Sequence, residues 1–177
     1  HQSYVILQVH KKIMDNKPAG ISGIKEELRG IRILAVALIS GVIIFAIITV
    51  VVNQINGAFL DDEIASLRAY LLPFISLIAL LALLIARTQY QKQIRAIREG
   101  SDELREKIVK YRAAIIRYMA ICEGMAMFSI ILFLLSGQFA LLIVTGAMVL
   151  LMAARLYAIK GVAAELELNW QEQQELS

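Results

Sequence analysis

Four apolar blocks, residues 33–52, 70–86, 113–135 and 139–159, constrain this chain more than any other feature of it. An α-helix rises about 1.5 Å per residue, and a membrane's hydrocarbon core is about 30 Å thick, so a span needs roughly 17–25 apolar residues. Each block fits that range. A soluble domain can bury one such block. Four of them in 177 residues, 59% of which are hydrophobic, leave too little polar surface to cover the rest. Inside a bilayer every backbone N–H and C=O must be bonded within the protein, and a helix achieves this unaided. Alternating ten-residue strands are absent from the sequence, which argues against a barrel. The expected fold is therefore an all-α membrane protein. A four-helix transmembrane domain fills residues 31–160, after an N-terminal cytoplasmic or interfacial segment at 1–30 and before an acidic tail at 161–177.

Charge sets the expected orientation. The segment between the second and third blocks carries eight Lys and Arg residues, from Arg87 to Arg112, against Glu99, Asp102, Glu103 and Glu106. The N-terminal segment carries Lys11, Lys12, Lys17, Lys25, Arg29 and Arg32, whereas the first intervening loop holds Asp61, Asp62 and Glu63 with Arg68 alone opposing them. Lys and Arg accumulate on the cytoplasmic side, so both termini and the middle segment are expected inside, in a bacterial inner membrane. The net charge of +3 then reflects topology and contact with anionic lipid. Its basic residues are scattered among acids, so no nucleic-acid partner is expected. The expected partners are membrane lipid and a membrane protein or second copy of the chain.

The middle segment, 87–112, reads as a cytoplasmic helical hairpin. Gly100 suits a helix stop and Ser101 a helix start. Tyr90, Ile94 and Ile97 form a stripe on one arm, and Leu104, Ile108, Tyr111 and Ile115 form one on the other, at spacings of three and four. The two stripes are placed to pack together. Asp61, Asp62 and Glu63 suit the start of the second helix, and Pro73 falls inside it. Ser22 reads as an N-cap for a helix leading into the first span. The tail, with Glu165, Glu167, Glu172 and Glu175, is expected to lie against the basic hairpin by charge sign. The start at His1 reads as a truncated or processed end, and the apolar stretch 4–9 is too short for a secretory signal.

One carboxylate, Glu123, lies within an apolar block. A charge near the middle of a membrane helix must be paired, protonated or functional. The third and fourth helices are joined by a turn at Gly137 and are therefore antiparallel neighbours. Counting from that turn puts Arg155 about one helical turn from the level of Glu123, with the two side chains leaning toward each other. The expected arrangement is an intramembrane Glu123–Arg155 pair that fixes the bundle. The alternative is a carboxylate that binds and carries a proton or cation. Arg117, Tyr118, Tyr157 and Trp170 read as interface anchors, Arg117 by snorkelling and the aromatics by their affinity for the headgroup region. Ala120 and Gly124 form a small-residue pair suited to close helix approach, a role open also to Gly41 and Gly146.

Catalytic chemistry has no nucleus in this sequence. Ser40, Thr49, Ser76, Ser129 and Thr145 are isolated, and such hydroxyls in spans usually bond to their own helix. His1 and His10 gather no other ligands, and Cys122 has no second cysteine. No cofactor, metal or enzymatic activity is expected; the reading is a non-catalytic protein of accessory or assembly type.

Two likenesses arise at these residues. The stretch Ile116-Arg-Tyr-Met-Ala-Ile-Cys-Glu-Gly-Met-Ala-Met-Phe-Ser-Ile, with Leu134-Leu-Ser-Gly and Leu166-Glu-Leu-Asn, resembles a group of small four-span bacterial membrane proteins of uncharacterised role. That resemblance implies an inner-membrane four-helix protein. Locally, Glu123-Gly-Met-Ala-Met-Phe-Ser-Ile-Ile is similar to the ion-binding helix of the rotary ATPase proteolipid ring subunit, which implies an ion-carrying role for Glu123. The proteolipid helix pairs with a glycine-rich partner, whereas the first span here contains Gly41 alone.

Overall fold

The computed structural model describes residues 19–59, 65–100, 102, 104–158, 161 and 165–166, with residues 19–25 and 65–68 as backbone only. Four helices make up the fold: α1 (Ala19–Asn56), α2 (Ala65–Glu99), α3 (Leu104–Ser136) and α4 (Ala140–Ala158). Each contains a stretch long and apolar enough to cross a membrane, as an integral membrane helical protein requires. No strand occurs among the described residues. The expected caps at 61–63 and 101, and Trp170, lie outside the described residues.

Helix α3 is the centre of the bundle and packs against each of the other three. Its buried residues recur at three- and four-residue intervals from Leu104 through Ile108, Tyr111, Ile115, Tyr118 and Cys122 to Ala126. That spacing makes one continuous stripe along the helix. The outward faces of α1 and α2 stay apolar, with Ile33, Ile44, Ile47, Phe74, Leu77 and Leu81 exposed. In water such surfaces would demand cover; in a bilayer lipid tails cover them.

Beyond the apolar blocks α2 and α3 both continue. Tyr90, Ile94 and Ile97 of α2 and Leu104, Ile108, Tyr111 and Ile115 of α3 belong to one buried cluster. Near the connection, Lys110 is paired with Asp102 at 2.6 Å. Arg112 reaches Glu27 at 3.2 Å and ties the start of α1 to α3. Both pairs are solvent-facing and contribute little energy.

One sequence expectation needs correction here. Helix α1 begins at Ala19, so Ser22 lies within the helix rather than capping it. Pro73 lies inside α2, as its place in the sequence predicts.

The opposite end of the bundle is closed by glycines. Gly57 and Gly137 have φ of 77° and 69°, and each N–H bonds back four residues, to the Asn53 and Phe133 carbonyls. This is the left-handed helix stop that glycine adopts without steric penalty. The two stops meet: Asn53 donates its side-chain N–H to the Leu134 carbonyl at 3.3 Å. A Cβ on Gly137 would stand 3.1 Å from the Ala58 Cβ. Gly137→Ala should therefore lose about 1–2 kcal/mol, from left-handed strain and from this contact. Thermal unfolding in detergent would measure it; an unchanged midpoint would show that the turn relaxes freely.

Candidate functional site

The richest polar centre in the described structure gathers around Arg155 and Glu165. Arg155 sits in the last turn of α4. Its guanidinium stacks on two rings, 4.0 Å from the centroid of Tyr90 and 4.9 Å from that of Tyr118. The rings themselves meet edge-on at 5.9 Å. A cation over aromatic faces is stabilised by their quadrupoles, by roughly 1–2 kcal/mol when water is largely excluded.

Glu165 closes the arrangement. Its Oε1 accepts from the Tyr90 hydroxyl at 2.7 Å and from Arg155 Nη1 at 3.2 Å. Its Oε2 accepts from the Tyr111 hydroxyl at 2.8 Å. Its backbone carbonyl accepts from Arg98 Nε and Nη2 at 2.9 and 2.6 Å. The next residue, Leu166, is buried in the main core. Glu165 therefore fastens the chain beyond α4 onto α2, α3 and α4 at once. The ion pair is sheltered, its side chains 24% and 22% exposed. Charge-assisted bonds of this kind are about twice as strong as neutral ones.

The Glu123–Arg155 pair is not formed. Among the described residues Glu123 makes no hydrogen bond or ion pair, and Arg155 is engaged by Glu165. The geometry explains the difference. Arg155 follows Gly137 by 18 residues and Tyr118 precedes it by 19, so these two are level, whereas Glu123 precedes it by 14. Tyr118 and Cys122 share the buried stripe of α3. Glu123 lies five residues beyond Tyr118, about 140° around the helix, and is half-buried on the flank.

The other predicted positions are distributed as follows. Tyr118 is buried beneath Arg155. Arg117 is exposed and faces a groove that it shares with Gln93 and Lys110. Tyr157 is exposed. Gly41, Gly124 and Gly146 have open space where a Cβ would be, so none marks a close helix approach within the chain. The close approach lies elsewhere, between α3 and α4. Ser129 donates to the Leu141 carbonyl at 2.7 Å, and Thr145 donates to the Ala126 carbonyl at 3.4 Å. Ser129 and Thr145 thus bond across helices rather than within their own. Thr49 does bond within α1, to the carbonyls of Ala46 and Phe45.

Sequence patterning alone does not single out Tyr90, Tyr111, Arg98 and Glu165 as a site. One signal points to them: a buried tyrosine hydroxyl needs a partner, and two tyrosines occupy otherwise apolar stripes in a chain with an acidic tail. No group of three or more metal-ligating side chains occurs among the described residues. Comparison with family models, with curated proteins and with solved structures gave no match. The site is therefore interpreted from its own chemistry.

Proposed function

We propose that this protein is a non-catalytic membrane subunit of accessory or assembly type, in which the Arg155–Glu165 centre locks the C-terminal segment onto a cytoplasmic hairpin. The observation that carries this reading is the closure of the polar network. Glu165 spends both carboxylate oxygens and its carbonyl on Tyr90, Tyr111, Arg98 and Arg155. Groups bonded to one another in this way are committed to holding shape and are poorly placed to turn over a substrate. The anchored Glu165 and a projecting hairpin give a soluble or membrane partner a defined surface. The basic residues of 87–112 favour the cytoplasmic side of a bacterial inner membrane for that surface, with both termini there.

The test is isolation from native membranes in mild detergent followed by mass measurement of the intact assembly. The expected result is a stoichiometric companion, either another protein or a second copy, that is lost from Glu165→Ala. Recovery of the monomer alone under conditions that preserve other membrane complexes would overturn the reading. Reporter fusions at the C-terminus check orientation independently; a periplasmic signal would reverse the topology.

A second reading, proton or cation handling at Glu123, is favoured by that residue's lack of an ion pair among the described residues. It predicts labelling of Glu123 by a hydrophobic carbodiimide, which attacks the protonated acid, with labelling falling as pH rises. It also predicts proton or cation flux in liposomes that Glu123→Gln abolishes. Absence of flux with the wild-type chain would remove it.

A further inference from the structure

The geometry points to a binding site for an anionic phosphate headgroup of a membrane lipid, in the groove that α2 and α4 form on either side of Arg155. Two adjoining cavities make up this groove. The one nearer the bilayer, about 370 Å³, is lined by Leu83, Arg87, Gln91, Leu151, Ala154 and Arg155 among others. The one nearer the hairpin, about 380 Å³, is lined by Tyr90, Arg95, Arg98, Arg155 and Glu165 among others. Both share Gln91 and Arg155, so the guanidinium of Arg155 stands between them.

Three observations select the ligand class. The first is charge. Arg87, Arg95, Arg98 and Arg155 face the groove, against the single carboxylate of Glu165. Guanidinium groups offer paired, coplanar N–H donors that match phosphate oxygens, and basic pockets between membrane helices at the interface take anionic headgroups. The second is register. Arg87, Gln91, Arg95 and Arg98 follow one another at intervals of four, four and three, so one face of α2 presents them all. Arg87 and Arg95 are exposed. The third is the gradient along the groove. Its membrane end carries Leu83, Leu151 and Ala154, whereas its hairpin end is dominated by polar groups. A free phosphate has no use for the apolar end; a lipid places its phosphate on the arginines and its glycerol and upper chains along the leucines.

This site rests on the chain's being a membrane protein and is independent of an assembly role. It makes Arg155 a group with two neighbours, Glu165 inside the fold and a phosphate in the groove. The bond to Glu165 engages Nη1, and a guanidinium carries five N–H donors. Arg155 and Arg98 hold the fold together, so the test leaves both in place.

The experiment uses the full chain purified in a neutral detergent, titrated with short-chain phosphatidylglycerol, with phosphatidylcholine of the same chain length, and with inorganic phosphate. Binding is read by native mass spectrometry and by the shift in unfolding midpoint. Phosphatidylglycerol is expected to bind and raise the midpoint, at least tenfold more tightly than phosphatidylcholine. Arg87→Gln with Arg95→Gln should weaken phosphatidylglycerol at least tenfold while leaving the lipid-free midpoint unchanged. Lys92→Gln with Arg105→Gln removes the same charge from positions that do not line the groove, and should leave binding intact. Equal binding of the two lipids, unchanged binding in the groove variant, or equal loss in the control variant would each overturn the site. A midpoint shift produced as well by inorganic phosphate alone would overturn the lipid and leave a free-phosphate site. A fall in the lipid-free midpoint of the groove variant would show those arginines to be structural, and would count against the proposal if Arg87→Lys with Arg95→Lys failed to restore both midpoint and binding. Orientation reporters test the membrane reading separately, so its failure is distinguishable from failure of the site.

Discussion

Glu165→Ala should lower the unfolding midpoint in detergent by roughly 5–10 °C and expose the C-terminal segment to protease. The substitution removes a carboxylate that accepts three side-chain bonds, from Tyr90, Tyr111 and Arg155. It leaves two tyrosine hydroxyls without their acceptor and the Arg155 cation without its counter-charge. A hydrogen bond to a charged group contributes about 1.5–3 kcal/mol, and stranding one partner of a sheltered pair costs about 3–5 kcal/mol. Partial exposure of the pair lets water recover some of this, so a net loss of about 2–3 kcal/mol is expected. For a chain of this size each kcal/mol moves the midpoint by about 2–4 °C. Tyr90→Phe and Tyr111→Phe should each lose about 1 kcal/mol, less than Glu165→Ala because Arg155 retains its partner. Arg155→Lys should lower the midpoint too, because an ammonium cannot lie flat on the two tyrosine rings as a guanidinium does. Glu165→Gln removes the charge and turns one of the two acceptor oxygens into an NH2 donor, so it should recover only part of the loss seen in Glu165→Ala. A midpoint within 1–2 °C of wild type for Glu165→Ala would show that the Glu165 contacts add little to stability.

The contrast between Glu123 and Glu165 marks what a membrane sequence can and cannot disclose. The spans are legible because hydropathy is a sum over some twenty residues, and no single packing choice alters it. The level of Arg155 relative to α3 is legible as well, since the Gly137 turn fixes the axial count. Which way a side chain faces around that axis is another matter. A half-turn of rotation separates a Glu123 partner from a Tyr118 partner, and hydropathy is nearly uniform around α3, so nothing local records the angle. The tail presents the same difficulty. Charge sign brings it to the basic hairpin, yet Glu165, Glu167, Glu172 and Glu175 all satisfy that rule. The choice of Glu165 is made by two tyrosine hydroxyls and an arginine converging from three helices. Ser129 and Thr145 belong to this class too: each has carbonyls on its own helix, yet each bonds to one on the facing helix.

That approach gives the second large effect. Ala126→Leu should destabilise the bundle by about 2–4 kcal/mol, a fall of roughly 10 °C in the unfolding midpoint, while secondary structure stays helical. Ala126 is fully buried, and its carbonyl accepts the hydroxyl of Thr145 from α4. Three residues on, Ser129 donates in return to the Leu141 carbonyl of that helix. In lipid no hydrophobic force draws two helices together; contact depends on backbones lying close enough for dispersion and for bonds such as these, about 0.6 kcal/mol each on average. Three added carbon atoms at Ala126 hold α3 and α4 apart at their contact and stretch both bonds. Ser129→Ala with Thr145→Val keeps the contact while removing the hydroxyls, and should lose only about 1–2 kcal/mol. If Ala126→Leu lost no more than that double variant, hydrogen bonding rather than close packing would hold the two helices together. Full wild-type stability in Ala126→Leu would mean that α4 can shift to accommodate the larger residue. Arg155, three turns further along α4, would then change its position over Tyr90 and Tyr118. A changed rate of tail proteolysis in Ala126→Leu, measured below its unfolding midpoint, would report that displacement.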